Sequence, residues 1–497
     1  MKNKFYITTP IYYVNDKPHI GHAYTTVLAD VLARYHRLMG EEVFFSVGTD
    51  EHGAKIEAAA EQANKSPREF CDENAEAFKE AWRSLNISYD NFIRTTNPKH
   101  EKAVSNVLDY LYKKDFIYEG VYKGLYCRGC EQYKTDDDLV GGRCPDHQIE
   151  PEVMEEDSYF FRLSKFGAEL GRSIADDKFK VEPAERKNEV LNFIRNGLQD
   201  ISISRKKVKW GVPLPFSAEG GSASGGDKKF TTYVWIDAFL NYLTGLGWDG
   251  KKNSKWNKFG ANASKIQNSK LSFWPPDVQL MSKDILRVHA TIWPALLLAL
   301  KIPLPKKLYI HGFFTIDSQK MSKSVGNVIW PEQLVEKFGV DGARYLLMSS
   351  LAHGHDGDVS WEKMAEKYNT NLANGLGNLV SRVMNLAKGF NIAVRDGSLK
   401  IKSEKARKLL DEIKLKEALD EIWKEVDWAN KYVEETRLWE LVKANKKEAR
   451  KVLEELLAAI ISVAESLKPF MPATAEKIIK ILESGEMKKG EILFPRI

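Results

Sequence analysis

Three sets of residues in this chain have types and spacings suited to chemistry. His19 and His22 flank Ile20 and Gly21, just after Pro18 and ahead of a run with apolar residues at Val27, Leu28, Val31, Leu32 and Tyr35. A helix beginning near Pro18 puts both imidazoles on one face at its positive end, and Gly21 lets a nucleotide lie close to the backbone. That is an anion site. Lys320 and Lys323 stand in QKMSKSVGN, residues 319–327, a loop with little that can pack and two ammonium groups able to meet one polyphosphate. Cys127, Cys130, Cys144 and His147 follow a C-x2-C-x13-C-x2-H spacing. Two close pairs joined by a loop close a tetrahedron around one zinc, and four protein ligands leave no open position, so a structural metal is expected. A disulfide is the competing reading, disfavoured by the histidine that completes the second pair and by the expected compartment. Taken singly, two histidines or a basic loop are ordinary surface features. Their pairing in one chain carries the weight.

Elements able to position these groups follow in order. Residues 4–8 read as a buried strand, 23–39 as a helix and 42–47 as a second strand, followed by GTDEHG at 48–53 and an Ala-rich helix. This is a βαβ unit with a parallel sheet, and ligands in such sheets sit beyond the carboxyl ends of strands, where His19 and Asp50 both fall. No G-x-G-x-x-G occurs at the first turn, so a dinucleotide fold is not expected. Residues 151–215 mix helix and strand and end in KWGVPLPF, and the Gly/Ser-rich run 217–229 reads as a flexible surface loop. After it, 230–237 reads as an aromatic strand, 238–246 as a helix and 278–281 as a strand. SKDILRVHATIWPALLLAL then forms a helix beginning at Asp284 and exposing His289, and 308–312 leads into the lysine loop. Beyond 331 the strands stop and apolar residues recur at helical spacing. There Asn378 and Arg382, at i and i+4, share a face, and Trp439 offers either a stacking plate or a core residue.

The expected fold is therefore α/β. Residues 1–115 and 221–315 form two halves of a Rossmann-like parallel-sheet catalytic domain, and 116–220 an insertion with a zinc knuckle. Residues 316–360 hold the lysine loop and a linking helical region, and 361–497 an all-α helical bundle. At 497 residues, with 43% hydrophobic residues and 12 Trp, the chain has material for several cores. A balance of 74 Lys+Arg against 69 Asp+Glu permits a polyanionic partner without requiring one. No apolar run reads as a signal peptide or membrane span, so a cytoplasmic protein is expected.

A two-histidine first turn followed about three hundred residues later by KMSKS resembles the paired signature of class I aminoacyl-tRNA synthetases. Residues 8–22, GTDEHGAKI at 48–56, YVWIDA at 233–238, KDILRVHA at 283–290, HGFFTIDSQKMSKSVGN at 311–327 and NLVSR at 378–382 resemble, in order, the signatures of the methionyl-tRNA synthetase family. The likeness spans essentially the whole chain. It implies ligation of L-methionine to tRNA(Met) by way of methionyl-adenylate, with Mg²⁺ accompanying ATP. It implies that His19, His22, Lys320 and Lys323 meet the ATP phosphates and that Asp284 contacts substrate and ribose. Asp50 would pair with the methionine ammonium, and Ile11, Tyr13, Trp235, Tyr242 and His289 would line the side-chain pocket. Asn378, Arg382 and Trp439 match the anticodon-reading positions, which makes the bundle an anticodon-binding domain. Ser282 stands where the family usually has Gly, Val288 where it often has Pro, and Leu438 where some members have Pro. The first departure bears on the ribose contact. No OB-like tRNA-binding and dimerising domain follows the bundle, which leaves its absence or its supply by a separate subunit as the expectation. Two alternatives stand beside this reading: a nucleotidyl transferase that activates a small acid without tRNA, and a non-enzymatic zinc- and RNA-binding protein.

Overall fold

With Phe5, Tyr6 and Ile7 at its centre, the stretch Lys4–Thr8 forms the first strand (β1) in the computed structural model, buried from Phe5 onward. The structure describes residues 3–130, 132–134, 138–206, 208–216, 230–251, 270–321, 326–390, 392, 401, 403–484 and 492–497. With β1, six further strands make a wholly parallel sheet: Tyr12–Tyr13 (β2), Glu42–Asp50 (β3), Asn91–Arg94 (β4), Lys180–Glu182 (β5), Val278–Ser282 (β6) and Lys307–His311 (β7). Thr8 and Asn91 both pair with Ser46, and Tyr12 and Arg94 both pair with Thr49. So β4 takes one edge of β3, and β2 continues the line of β1 along the other after a break at 9–11. The spatial order is β4, β3, β1 with β2, β6, β7, β5.

Alternate residues of each strand enter opposite cores, as the two-residue period requires. Phe5, Ile7, Phe45, Leu280 and Tyr309 pack with the helices Ile20–Leu38 (α1) and Pro331–Ser350 (α3), in a core continuous with the C-terminal bundle. Tyr6, Phe44, Met281, Leu308 and Ile310 pack with the helix Leu286–Leu300 (α2) and with the segment 104–246. Because β1 lies between β3 and β6, the chain order reverses beside it, and a crevice opens at its carboxyl end.

The stretch 116–220 forms a smaller antiparallel sheet in which Ile117–Cys127 pairs with Glu152–Phe161 along its length and with Gln132–Lys134 near its tip. Part of the same stretch returns to the main sheet. Lys180–Glu182 pairs in parallel with Lys307–Tyr309 as the edge strand. Residues 230–237 differ from the aromatic strand expected there: only Thr231–Thr232 is extended, and Val234–Phe239 is a helix. Five of its six residues are buried, and a helix covered on nearly every side shows no amphipathic stripe to read. Strands do not stop at 331 either, since Gly357–Val359 pairs in parallel with Phe314–Ile316.

Among the described residues the regular elements of the bundle are all helices, with Tyr368–Gly377 wound as a π-helix that runs into the α-helix Asn378–Ala387. Within its otherwise apolar joint with the sheet layer lies one fully buried polar contact. Arg344 of α3 donates to the carbonyls of Leu85, Pro469 and Phe470 and pairs with Asp30 of α1 at 2.7 Å. A guanidinium with four acceptors in fixed directions ties the 469–470 turn of the bundle to α1 and to the chain at Leu85. Among the described residues no helix is long and apolar enough to cross a membrane.

Candidate active site and metal centre

α1 starts at Ile20, two residues later than the sequence suggests, and His19 is its N-cap. His19 Nδ1 accepts the Gly21 N–H at 3.1 Å, and His22 Nδ1 accepts the His19 N–H at 3.1 Å, a reciprocal capping box made by two imidazoles. A backbone N–H can only donate, so both Nδ1 atoms are unprotonated and each neutral ring keeps its proton on Nε2. The rings stack at 3.9 Å. Burial lowers the His19 pKa to about 4 and also holds that of His22 well below the ordinary imidazole value, with His19 adding to the effect. The anion site thus offers neutral N–H donors rather than cations. A Cβ on Gly21 would come within 3.0 Å of the His19 ring, so glycine is what lets this cap close.

The second signature returns to the same turn. After Phe314–Ile316 the chain reverses through Asp317 and Ser318, both at positive φ, into Gln319–Lys320. Asp358 pins that hairpin by accepting from Thr315 Oγ1 at 2.8 Å and Ser318 N at 2.6 Å. Nine residues beyond Lys320, the Ile329 carbonyl accepts the Ile20 N–H at 2.9 Å. The lysine loop is therefore anchored at its far end to the first turn of the histidine helix. The side chain of Lys320 and all of Lys323 lie outside the described residues. At the end of β7, His311 donates through Nδ1 to the Gly312 carbonyl and meets Thr25 Oγ1 of α1 through Nε2 at 2.7 Å. Burial lowers the His311 pKa, while the Gly312 carbonyl and the Asp284 carboxylate act the other way. That brings Asp284, at the end of β6, to the histidine side of the crevice. The Ser282 hydroxyl donates to Asp284 Oδ1, so the departure from Gly adds a partner to this carboxylate.

The proposed pocket residues form two walls. Tyr242 Oη and His289 Nε2 are 2.9 Å apart, and His289 Nδ1 meets the Ile285 carbonyl at 2.9 Å. Burial lowers the His289 pKa to about 4, so this histidine is neutral and buried, not exposed as its place near a helix start suggests. Trp235 stands edge-on to His289 at 6.1 Å and stacks on Phe239 at 5.6 Å. The other wall is Asp50 and Tyr13, which face each other in register on β3 and β2. Ile11 lies against Gly48, where its Cγ2 would be 3.0 Å from an added Cβ. Burial raises the Tyr242 pKa, and Tyr12 and Asp50 act in the same direction, which places the second wall within electrostatic reach of the first.

Beside this pocket lies a polar cluster that the sequence does not announce. Asp237 is fully buried and accepts from His52 Nδ1 at 2.5 Å and His100 Nε2 at 2.7 Å. His52 Nε2 faces Glu101 at 3.5 Å. Burial opposes charge on His52, but the Asp237 carboxylate, with Glu101 and Asp50 acting the same way, raises the imidazole pKa. Its neighbour Glu51, also fully buried, takes a two-pronged contact from Arg94 at 2.6 and 2.9 Å.

At the tip of the insertion Cys130 Sγ lies 3.4 Å from Cys144 Sγ and 3.3 Å from His147 Nδ1, and all four ligand atoms of the Cys/His set fall within 4.8 Å of one another. A tetrahedron with sulfur about 2.3 Å from its centre has edges of about 3.8 Å, so this donor set fits a single ion. The cysteines are free thiols. A Cβ at Gly129 would meet His147 at 2.4 Å, so glycine makes the approach possible.

With this geometry in place, three comparisons converge. A family model for class I tRNA synthetases (M) matches residues 5–150 and 147–384. Methionine–tRNA ligase of Caldanaerobacter subterraneus subsp. tengcongensis is 40% identical over 100% of this chain and 79% of its own length. That of Thermotoga maritima is 40% identical over 99% and 77%. The chain belongs to the methionyl-tRNA synthetase family. Among solved members of that family, a Mycobacterium tuberculosis methionyl-tRNA synthetase in complex with methionyl-adenylate aligns at TM-score 0.87 and 32% identity, covering 100% of both chains. The free state of a Mycobacterium tuberculosis methionyl-tRNA synthetase aligns at 0.80 and 29%, covering 100% of this chain and 99% of that one.

The bundle positions singled out by family resemblance are brought together. Arg382 lies over the Trp439 ring at 5.9 Å and pairs with Glu434 at 2.7 Å, and Asn378 is exposed one turn before it on the same helix. Trp439 is 38% exposed, which removes the core alternative for this residue. Leu438, where some family members have Pro, is buried.

Proposed function

We propose that the chain activates L-methionine with ATP and transfers it to the terminal adenosine of tRNA(Met). A methionine carboxylate oxygen attacks the α-phosphorus, the bond to the β-phosphate breaks, and pyrophosphate leaves with the electron pair. An adenosine hydroxyl then attacks the acyl carbon, releasing AMP and a proton. His19 and His22 would donate from Nε2 to phosphate oxygens, while Lys320 and Lys323 supply the positive charge that the neutral imidazoles lack. Mg²⁺ would arrive as the counterion of the ATP phosphates. Asp284 would take the ribose or substrate, Asp50 the ammonium, and Ile11, Tyr13, Trp235, Tyr242 and His289 the thioether. A soft, flexible side chain suits an aromatic pocket of this kind. No protein nucleophile is required, so catalysis is positioning and charge stabilisation.

In this reading 1–115 and 221–315 form the catalytic domain and 116–220 its insertion, held by one structural zinc at Cys127, Cys130, Cys144 and His147. Residues 316–360 carry the lysine loop and its link, and 361–497 would read the anticodon through Asn378, Arg382 and Trp439. The observation that supports it most directly is the hydrogen bond from Ile20 N to the Ile329 carbonyl, which draws two signatures three hundred residues apart to one crevice. The test is amino-acid-dependent ATP–pyrophosphate exchange across all twenty amino acids. Exchange with methionine alone is expected, and exchange with another amino acid or with none overturns the assignment.

A further inference from the structure

We propose that Asp237, acting through His52 with His100 as its second partner, is a positioning residue that fixes the carboxylate wall of the amino-acid pocket against its aromatic wall. This rests on the functional reading above. The helix Val234–Phe239 carries Trp235 and Asp237 two residues apart, about 200° around its axis. Trp235 turns toward His289 and Phe239, and Asp237 turns toward His52 and His100. One short helix thus holds both a pocket wall and the bolt that locks it.

The bolt's other end is the segment that carries Asp50. Tyr13 Oη donates to the His52 carbonyl at 2.8 Å, and the Trp210 indole donates to the Glu51 carbonyl at 2.5 Å. Gly53 N returns a bond to the Trp210 carbonyl at 3.1 Å. Residues 51–53 are therefore held from three sides, and Asp50 precedes them at the last position of β3. His100 anchors the third side to Thr244 through Nδ1 at 2.7 Å.

Charge gives the arrangement a purpose beyond packing. Both His52 nitrogens face carboxylates, so the ring is an imidazolium two residues from the carboxylate proposed to take an ammonium. Burial alone disfavours charge on this ring; the Asp237 carboxylate both draws the charge onto it and balances that charge, so the pair is neutral as a unit beside Asp50, and charge-assisted bonds are short and directional enough to hold one geometry.

The test is a double-mutant cycle of Asp237→Asn and His52→Gln, read by methionine-dependent pyrophosphate exchange with separate KM values for methionine and ATP, and by melting. Each single variant should raise the methionine KM about tenfold, a modest share of what misplacement near 1 Å can cost, and leave the ATP KM unchanged. The double variant should be no worse than the worse single. Thr244→Val, which only loosens His100, should raise the methionine KM less, and it carries the test if the other variants do not fold. A lowered melting point with both KM values unchanged makes the cluster merely structural and overturns the proposal. So does a parallel rise in both KM values, or an additive double variant. If the unaltered protein shows no methionine-dependent exchange, the functional reading fails first and separately.

Discussion

Two histidine clusters flank the same crevice, and the same side chain reaches opposite charge states in them. His19 and His22 are half-buried and accept backbone N–H bonds, so they stay neutral. His52 is more deeply buried than either, yet a carboxylate 2.5 Å from Nδ1 keeps it charged. Desolvation acts on both clusters and disfavours charge. The deciding difference is the neighbour's chemistry: a donor that forces Nδ1 bare, or an acceptor that forces it protonated. One cluster then keeps its Nε2–H groups available, in the proposed function for an incoming phosphate, and the other consumes its own within the protein. The comparison warns against reading a histidine near a helix start as a cation because of the helix dipole alone.

His147 supplies a third environment and the largest expected effect. If it completes a zinc site, the purified chain contains about one equivalent of metal. Cys144→Ser should abolish stoichiometric binding and unfold the tip of the insertion, since structural zinc in small sites contributes on the order of 10–16 kcal/mol. Metal analysis with melting checks this, and a metal-free protein of undiminished stability would sink it. Next comes the charge that neutral histidines cannot provide. Lys323→Ala should slow adenylate formation by roughly 10²-fold or more with methionine affinity little changed. If removing Lys323 costs less than removing a histidine, the division between neutral donors and lysine cations is wrong.

His19→Asn tests the other half. Asparagine is a good N-cap and preserves the start of α1, while the Nε2–H donor is lost. A hydrogen bond to a charged group is worth about 1.5–3 kcal/mol, so adenylate formation should slow by roughly 10- to 10²-fold with melting unchanged. A large drop in melting with little change in rate would make His19 a cap and nothing more.

How much of this could be read beforehand depends on sequence distance. The placement of His19 and Asp50 at one crevice follows from strand, helix and strand in order, because a parallel sheet puts carboxyl ends on one side, whereas Asp284 enters only through the family resemblance. The metal set was legible for the same reason: its ligands come from a single short stretch. Asp237 was not, since its partners lie 185 and 137 residues away and its helix is too thoroughly buried to show a period. Arg344 was hidden likewise, as its acceptors are backbone carbonyls that carry no residue identity. Edge strand Lys180–Glu182 has three residues, too few for alternation to register.

The smallest effect is also the most direct probe of the comparison, because it reads charge without chemistry. A histidine whose folded pKa is raised binds more protons than the unfolded chain between the two values. His52 therefore contributes stability that is fully present below about pH 6.5, the unperturbed value, and is lost as pH rises toward the folded pKa of about 10. For His19 the sign reverses. Its folded pKa of about 4 lies below the unfolded value, so the unfolded chain binds the extra proton and stability falls as pH drops from about 6.5 toward 4. Melting curves of the unaltered protein, His19→Asn and His52→Gln from pH 4.5 to 9.5 separate the two. The deficit of His52→Gln should be widest at pH 6 and narrow on the alkaline side. His19→Asn should gain on the unaltered protein only on the acid side, because it deletes a group that resists protonation. Between pH 6.5 and 8 neither ring changes state in the folded protein, so imidazole resonances of both should stay flat there. A midpoint near 6.5 for either ring would erase the distinction between the clusters.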